Sequence, residues 1–276
     1  MENDALPDFR SAIAGPAAEV DLLGASLAIA AIGRSRPAPE LVEDELAGIA
    51  SAVLRLAGQG ADSAELAQAV DHQLFSTLGF QGATDSWDVP ENSYVDCVLE
   101  RRRGIPISLA LVYMEVARRA GLVCRGVGFP GHFLVVVGES GQGYYVDPFH
   151  QGARVDREEL RARLAGMELG PGRPEMFLEP VTPRQMIQRM LGNLRTAFRR
   201  SGRIREWHEA IEYSLVLEPW TVSLMGERGM ARYRLGDLPA ALGDLERYVD
   251  AQQKMSVGAM RFLDELRLRI RDEGLR

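Results

Sequence analysis

NSYVDCVLERRRGIPISLALVYMEVARRAGL (92–122), FPGHFLVVVG (129–138) and YYVDPFHQG (144–152) are the segments whose reading decides the fold. They spell an apolar helix followed by a β-hairpin that carries one His and one Asp. The runs His132 to Gly138 and Gln142 to Pro148 flank Glu139, Ser140 and Gly141, a short polar turn of the kind that joins antiparallel strands. A turn centred between Glu139 and Ser140 gives cross-strand partners whose numbers sum to 279, which sets His132 opposite Asp147. Directly opposed residues hold their Cβ atoms about 4.5–5.5 Å apart, so the carboxylate can accept the imidazole N–H and fix its tautomer. That is the base and orienter half of a catalytic triad. A slip of one residue would put the two on opposite faces, and a purely structural His–Asp pair at a sheet end fits the same spacing.

The helix before the hairpin is apolar nearly all round. Ile107, Leu109, Ala110, Leu111, Val112, Met114, Val116, Ala117 and Ala120 leave only Ser108, Tyr113, Glu115, Arg118 and Arg119 to face anything polar, the pattern of a helix buried within a domain. Pro106 suits the first helical position, where its missing N–H has no intrahelical partner in any case. Arg118 and Arg119 suit the negative end of the macrodipole, and Gly121 suits the cap. The N-terminus of such a helix favours an anion, which is how a catalytic thiol is held ionised. Asn92 and Ser93, just before the periodic Tyr94, Val95, Val98 and Leu99, read as N-capping residues.

Farther out, helical periodicity covers 18–33, 38–58 and 63–78, and a further helix runs from Arg157 to about Met167. The stretch ELGPGRPEMFLEPVTP (168–183) is rich in Gly and Pro and reads as a linker. It divides the chain into an α+β region (1–172) and an all-helical region (183–276). Within the latter, GERGMARYRLGDLPAALGDLERYVDA has the tetratricopeptide pattern. Gly229 takes a small interior position, Gly236 and Asp237 the turn, Ala241 and Leu242 the start of the second helix, and Tyr248 a site where a small residue is more usual. An upstream unit from about Arg189 to Pro219 is degenerate, with Trp207 at its small site. Two imperfect repeats are fewer than the three a free solenoid needs. This region is therefore expected to pack on the first, to be capped by a last helix near 257–271, or to form a homodimer.

The 276 residues carry a formal charge of −7, unevenly spread. Residues 1–99 hold sixteen acids against four Arg, and residues 100–276 hold twenty-three acids against twenty-eight bases. The acidic first part argues against nucleic acid. The run Arg195, Arg199, Arg200, Arg203 and Arg205 has no interleaved aromatics apart from Phe198 and Trp207, which makes nucleic acid the weaker alternative, and like Arg118 and Arg119 it is a candidate clamp for acidic side chains of a partner. The apolar stretch 22–33 is too short to span a bilayer. Two cysteines make no disulfide framework and the first residues lack a basic, apolar leader, so a cytoplasmic location is expected. Four His and two Cys show no ligand-spaced motif, so neither metal nor cofactor is expected. His72 and His208 sit on helical patterns, and His150 reads as a surface-loop residue.

From about Leu74 to Leu160, the motifs LGFQG, ENSYVDCVLERRRGIPISLALVYMEVARRAGL, GVGFPGHFLVV and YYVDPFHQG resemble the SirB-type invasion-regulator family of transglutaminase-like proteins with tetratricopeptide repeats. The resemblance implies a papain-like α+β fold with a helical N-terminal region, and it puts His132 and Asp147 at the catalytic-type positions. It also implies that the G-x-C-x-x-x-A helix start of active transglutaminases aligns with Gly104 to Ala110, with Pro106 where the cysteine belongs. Two readings follow. One is a non-catalytic, regulatory module that binds a protein or peptide. The other is an acyl-transfer enzyme in which Ser108, or another nucleophile, works with His132 and Asp147. Ser108 points about 200° around the helix from position 106 and is equally a first-turn serine bonding the backbone. Cys97 and Cys124 read as small buried hydrophobes.

Overall fold

The computed structural model describes residues 5–85, 88–138, 143–169, 173–252 and 257–275. The expected turn at Glu139 to Gly141 lies outside them, as does Gln142. The chain opens with α1 (Leu6–Ala12), α2 (Leu22–Ile29), α3 (Pro39–Ala57) and α4 (Ser63–Asp71), which continues into a π-helical turn, His72–Thr77. α1 falls outside the expected periodic segments, and the helix expected from residue 18 starts at Leu22, where Asp21 caps it by accepting from Gly24 N–H at 2.9 Å. α4 starts at a complete capping box, Asp62 and Glu65 each bonding the other's backbone N–H.

A two-residue parallel pair, β1 (Gln81–Gly82) with β2 (Arg103–Gly104), brackets α5 (Val95–Arg101). Next comes α6 (Pro106–Arg119), with Pro106 at its first position as expected. At its far end Leu122 N–H reaches Ala117 O and Gly121 N–H reaches Arg118 O, a Schellman closure that needs the left-handed Gly121, φ +84°. Eleven residues of α6 are buried. It packs on α3, α4 and α5 and on the sheet, and each large aliphatic side chain so enclosed contributes about 1.5–3 kcal/mol. Its charged residues are paired within the fold: Glu115 binds both Arg118 and Arg119, and Arg119 also binds Glu43. Arg119 is thereby committed within the fold, which corrects its reading as a clamp for a partner.

The sheet is β3 (Cys124–Val127), β4 (Leu134–Val137), β5 (Tyr144–Asp147) and β6 (Ala153–Val155), antiparallel and in sequence order. Val137 pairs with Tyr144 and Val135 with Val146, so partner numbers sum to 281 rather than 279. The connection therefore takes six residues, 138–143, and His132 stands before the ladder instead of in it. Side chains alternate between two cores. Val135, Val137 and Val146 join the main core with α6, while Leu134, Val136 and Tyr145 join a second under α7 (Arg157–Ala165) and Leu178. Burial on both faces explains why LVVV shows no polar alternation.

The remaining helices are α8 (Pro183–Arg200), α9 (Ile204–Leu217), α10 (Val222–Leu235), α11 (Leu238–Asp250) and α12 (Val257–Asp272). α10 and α11 pair closely because a Cβ at Gly229 would stand 2.7 Å from Leu245, and one at Gly226 would stand 2.6 Å from the Tyr248 ring. Gly226 thus accommodates the unusually large Tyr248. The linker carries a short 3-10 turn, Pro174–Leu178, yet the apolar core runs through it. Met186, Ile187, Met190, Leu194, Ile211 and Tyr213 belong to the same core as α2 and α6, and the Phe9 and Tyr213 rings lie 4.8 Å apart. α11 and α12, with Leu238, Leu245, Leu263 and Leu266, build a further core of their own.

Candidate functional site

Asp147 ends β5 and caps the 3-10 turn Pro148–His150. Its Oδ1 accepts from Phe149 N–H at 3.1 Å and from His150 N–H at 3.2 Å, an Asx turn that locks the carboxylate. Its Oδ2 then lies 2.8 Å from His132 Nε2 and 2.8 Å from His150 Nδ1. Asp147 is buried, and His132 is mostly so. The two imidazole rings lie 5.5 Å apart, and Phe149 meets each of them edge-on from below. Phe149 in turn rests on Gly82, where a Cβ would come within 2.6 Å of its ring.

The expected His132–Asp147 contact is therefore present, although not as a cross-strand pair. His132 sits on the loop Phe129 to His132, which turns at Gly131, φ +69°. Arg189 of α8 donates to the Phe129 carbonyl at 3.0 Å and to the His132 carbonyl at 2.6 Å, with its guanidinium against the Phe133 ring. The helical region thus holds the loop that carries the histidine. Burial is the largest influence on the Asp147 carboxyl and pushes it up, but hydrogen bonds from His132 and His150 outweigh it and hold the group below its ordinary value.

Ser108 makes its described hydrogen bonds to the backbone. Fully buried, it donates to Asn92 O at 2.6 Å and to Ile105 O at 3.0 Å. This is the backbone-bonding reading of a first-turn serine, and the described hydrogen bonds give it none with His132. Asn92 and Ser93 do not cap α5, whose N-cap is Tyr94. Instead, the Asn92 carbonyl receives both Ser108 and Ile105 N–H and so anchors the start of α6. Cys97 lies beside Arg34, which also pairs with Asp96 at 2.5 Å. Burial, ahead of Asp96, raises its thiol despite Arg34. Cys124 opens β3, and burial pushes its thiol up to about 12. Neither is poised as a thiolate.

His150 is the residue that the sequence reading missed. It is exposed, as expected of a loop, but it is tied to the buried carboxylate. The available signal was Asp147-Pro-Phe-His150, an Asp followed by Pro at a turn's first position, which brings residue i+3 back over the side chain of residue i. Beneath the following turn, where Gln151 (φ 56°) and Gly152 (φ 77°) are both left-handed, lies Asp71. Burial raises its carboxyl to about 6, with the Tyr113 hydroxyl and Arg154 opposing in part, and its Oδ1 has no hydrogen-bond partner among the described residues. A carboxyl whose pKa is raised by folding binds its proton more tightly in the native state. Stability therefore falls as pH rises from about 4 to about 6 and is level above that. The full shift corresponds to about 3 kcal/mol, reduced to about 1–2 kcal/mol by the solvent that still reaches the group. Asp71→Asn is expected to stabilise the protein by that amount at pH 7.5 and to flatten the fall. Urea unfolding at pH 4, 5, 6 and 7.5 checks it; an unchanged slope would refute the assignment.

No helix among the described residues is long and apolar enough to cross a membrane. Residues 40–192 match the family model described as the Transglutaminase-like superfamily, and residues 194–266 match a Tetratricopeptide repeat model. A UPF0162 protein of Xylella fastidiosa (strain Temecula1) is 39% identical over 186 residues, 66% of this chain and 66% of the relative. A UPF0162 protein of Pseudomonas aeruginosa is 36% identical over 147 residues, covering 51% of this chain and 52% of its own length. F-box only protein 21 of Pongo abelii is 27% identical over 244 residues, which are 81% of this chain but 38% of that protein. The chain thus spans just under two thirds of the first bacterial relative and much less of the F-box protein.

Proposed function

The chain belongs to the transglutaminase-like superfamily, and from that premise we propose that it is a non-catalytic member that binds a protein or peptide partner as a cytoplasmic, SirB-type regulatory module. The observation that carries the reading is Pro106 at the first position of α6, where the family's helix start would put its thiol. A proline side chain holds no heteroatom to attack an acyl carbon. Ser108, the hydroxyl of the first turn, is committed to two backbone carbonyls, and burial raises both thiols. Tetratricopeptide repeats support an interaction role for the second region.

A cavity of about 570 Å³ opens between α9, α10, α11 and α12, lined by Trp207, Met230, Leu245, Tyr248 and Phe262 with Arg234 at its edge. It suits an apolar side chain of a peptide with an acidic neighbour. We expect peptides selected from a displayed library to bind the wild type and to lose at least tenfold in affinity against Met230→Glu or Arg234→Glu. The His132–Asp147 pair keeps the acyl-transfer reading alive as the competing outcome. Intact-mass analysis after exposure to a peptidyl chloromethyl ketone or a fluorophosphonate decides between them: no adduct dependent on His132 is expected, and one on Ser108, Cys97 or Cys124 that vanishes in His132→Ala would overturn the proposal.

A further inference from the structure

We propose that His132, Asp147 and His150 form a binding site for a divalent transition-metal cation, with zinc the first candidate. The proposal goes beyond the partner-binding reading and does not depend on it. Three donor atoms, His132 Nε2, Asp147 Oδ2 and His150 Nδ1, all lie within 4.8 Å of one another. The two nitrogens approach the same carboxylate oxygen at 2.8 Å each. Ligands at zinc distances of about 2.0–2.2 Å stand roughly 3–3.4 Å from each other, so an incoming cation must spread each nitrogen–oxygen contact by about half an ångström and draw together the two nitrogens, which stand within 4.8 Å of each other. The exposed His150 ring can supply that movement, whereas the other two donors are already held.

Their support is of the kind metal ligands need. Asp147 Oδ1 is fixed by two backbone N–H groups, which leaves Oδ2 to face the two imidazoles as the ligand atom and acts as an outer shell on the carboxylate. Phe149 underlies both imidazoles, and Arg189 fixes the His132 loop through two carbonyls. One side is open to solvent, since the His150 side chain is 64% exposed, which provides entry and room for water to complete the coordination. Two imidazoles and one carboxylate suit borderline cations such as Zn²⁺, Co²⁺ or Fe²⁺ over Ca²⁺ or Mg²⁺, which want oxygen ligands. On binding, each coordinating nitrogen presents its lone pair, so the N–H now directed at Oδ2 is lost to solvent or moves to the other ring nitrogen.

The test is calorimetric titration of the untagged full chain with ZnCl₂ at pH 7.5, with Co²⁺ absorption as a second probe. The expected result is one Zn²⁺ per chain at micromolar affinity or better, and visible d–d bands for Co²⁺ beyond those of the hydrated ion. His150→Ala and His150→Gln, at an exposed position that leaves the fold intact, are each expected to weaken Zn²⁺ binding at least tenfold, while His72→Ala changes nothing. Absence of saturable binding, or a loss of less than tenfold in both His150 variants, overturns the proposal.

Discussion

Asp147→Ala is expected to lower the stability of the protein by about 3–5 kcal/mol. The carboxylate is buried and receives four hydrogen bonds, from His132, His150, Phe149 N–H and His150 N–H. They do not weigh equally. The His150 ring is exposed and regains water when its partner is removed, so it contributes little. The Phe149 N–H is buried and His132 mostly buried, so each is left with an unmet donor, at about 1–2 kcal/mol apiece. The 3-10 turn also loses its cap, for about 1 kcal/mol more. Asp147→Asn separates these effects, because its carbonyl can still cap the turn while its amide replaces Oδ2. With both imidazoles able to shift tautomer, it is expected to cost about 1–2 kcal/mol. Urea unfolding at neutral pH measures both, and a loss under 1 kcal/mol for the alanine variant would show that the cluster is not a structural keystone of the sheet end.

The same cluster shows how far sequence reasoning reached. α6 was legible to within a residue because its signals are local: Pro106 starts it, and Gly121, one past the C-cap Ala120, supplies the left-handed closure at its end. The hairpin was legible in parity but not in register. Centring the turn one residue too early, between Glu139 and Ser140, moved the pairing sum by two, and since side chains alternate with period two, an even error preserved the face that each strand residue takes, while the loop before β4 brought His132 to Asp147. An odd error would have lost the site. His150 was missed because a 3-10 turn follows neither the helical nor the strand period, so no periodicity search brings it to the carboxylate. The Gly- and Pro-rich composition of 168–183 was visible as a linker, whereas the core on both sides of it depends on packing between residues as distant as Ser26 and Met190 or Phe9 and Tyr213. Arg189 was legible only as a helix residue; its hold on the His132 loop is long-range, and no local pattern encodes it.

Trp207→Ala is the second large effect, expected to cost about 3 kcal/mol or slightly more. In the sequence Trp207 is an anomaly, a large side chain at the small position of a degenerate repeat. In the structure it is the junction of three helices. Its ring is 2% exposed, its Nε1–H donates to Glu227 Oε1 at 2.7 Å, and Glu227 Oε2 meets Arg195 of α8 at 2.8 Å. Arg234 of α10 lies over the ring at 5.5 Å. Truncation of a buried Trp spans about 3–5 kcal/mol, and the lower end applies here because Trp207 borders the cavity between α9 and α12, so the space left can fill with water. Trp207→Phe keeps most of the apolar contact and loses the N–H to a carboxylate, a cost of about 1.5–3 kcal/mol. The difference between the two variants isolates the ring from the hydrogen bond. Because α11 and α12 have a core of their own, the alanine variant should also uncouple them, and its urea transition should broaden to a smaller apparent m-value. A sharp transition within 1 kcal/mol of the wild type would mean that the main core, rather than Trp207, carries the connection between the two regions.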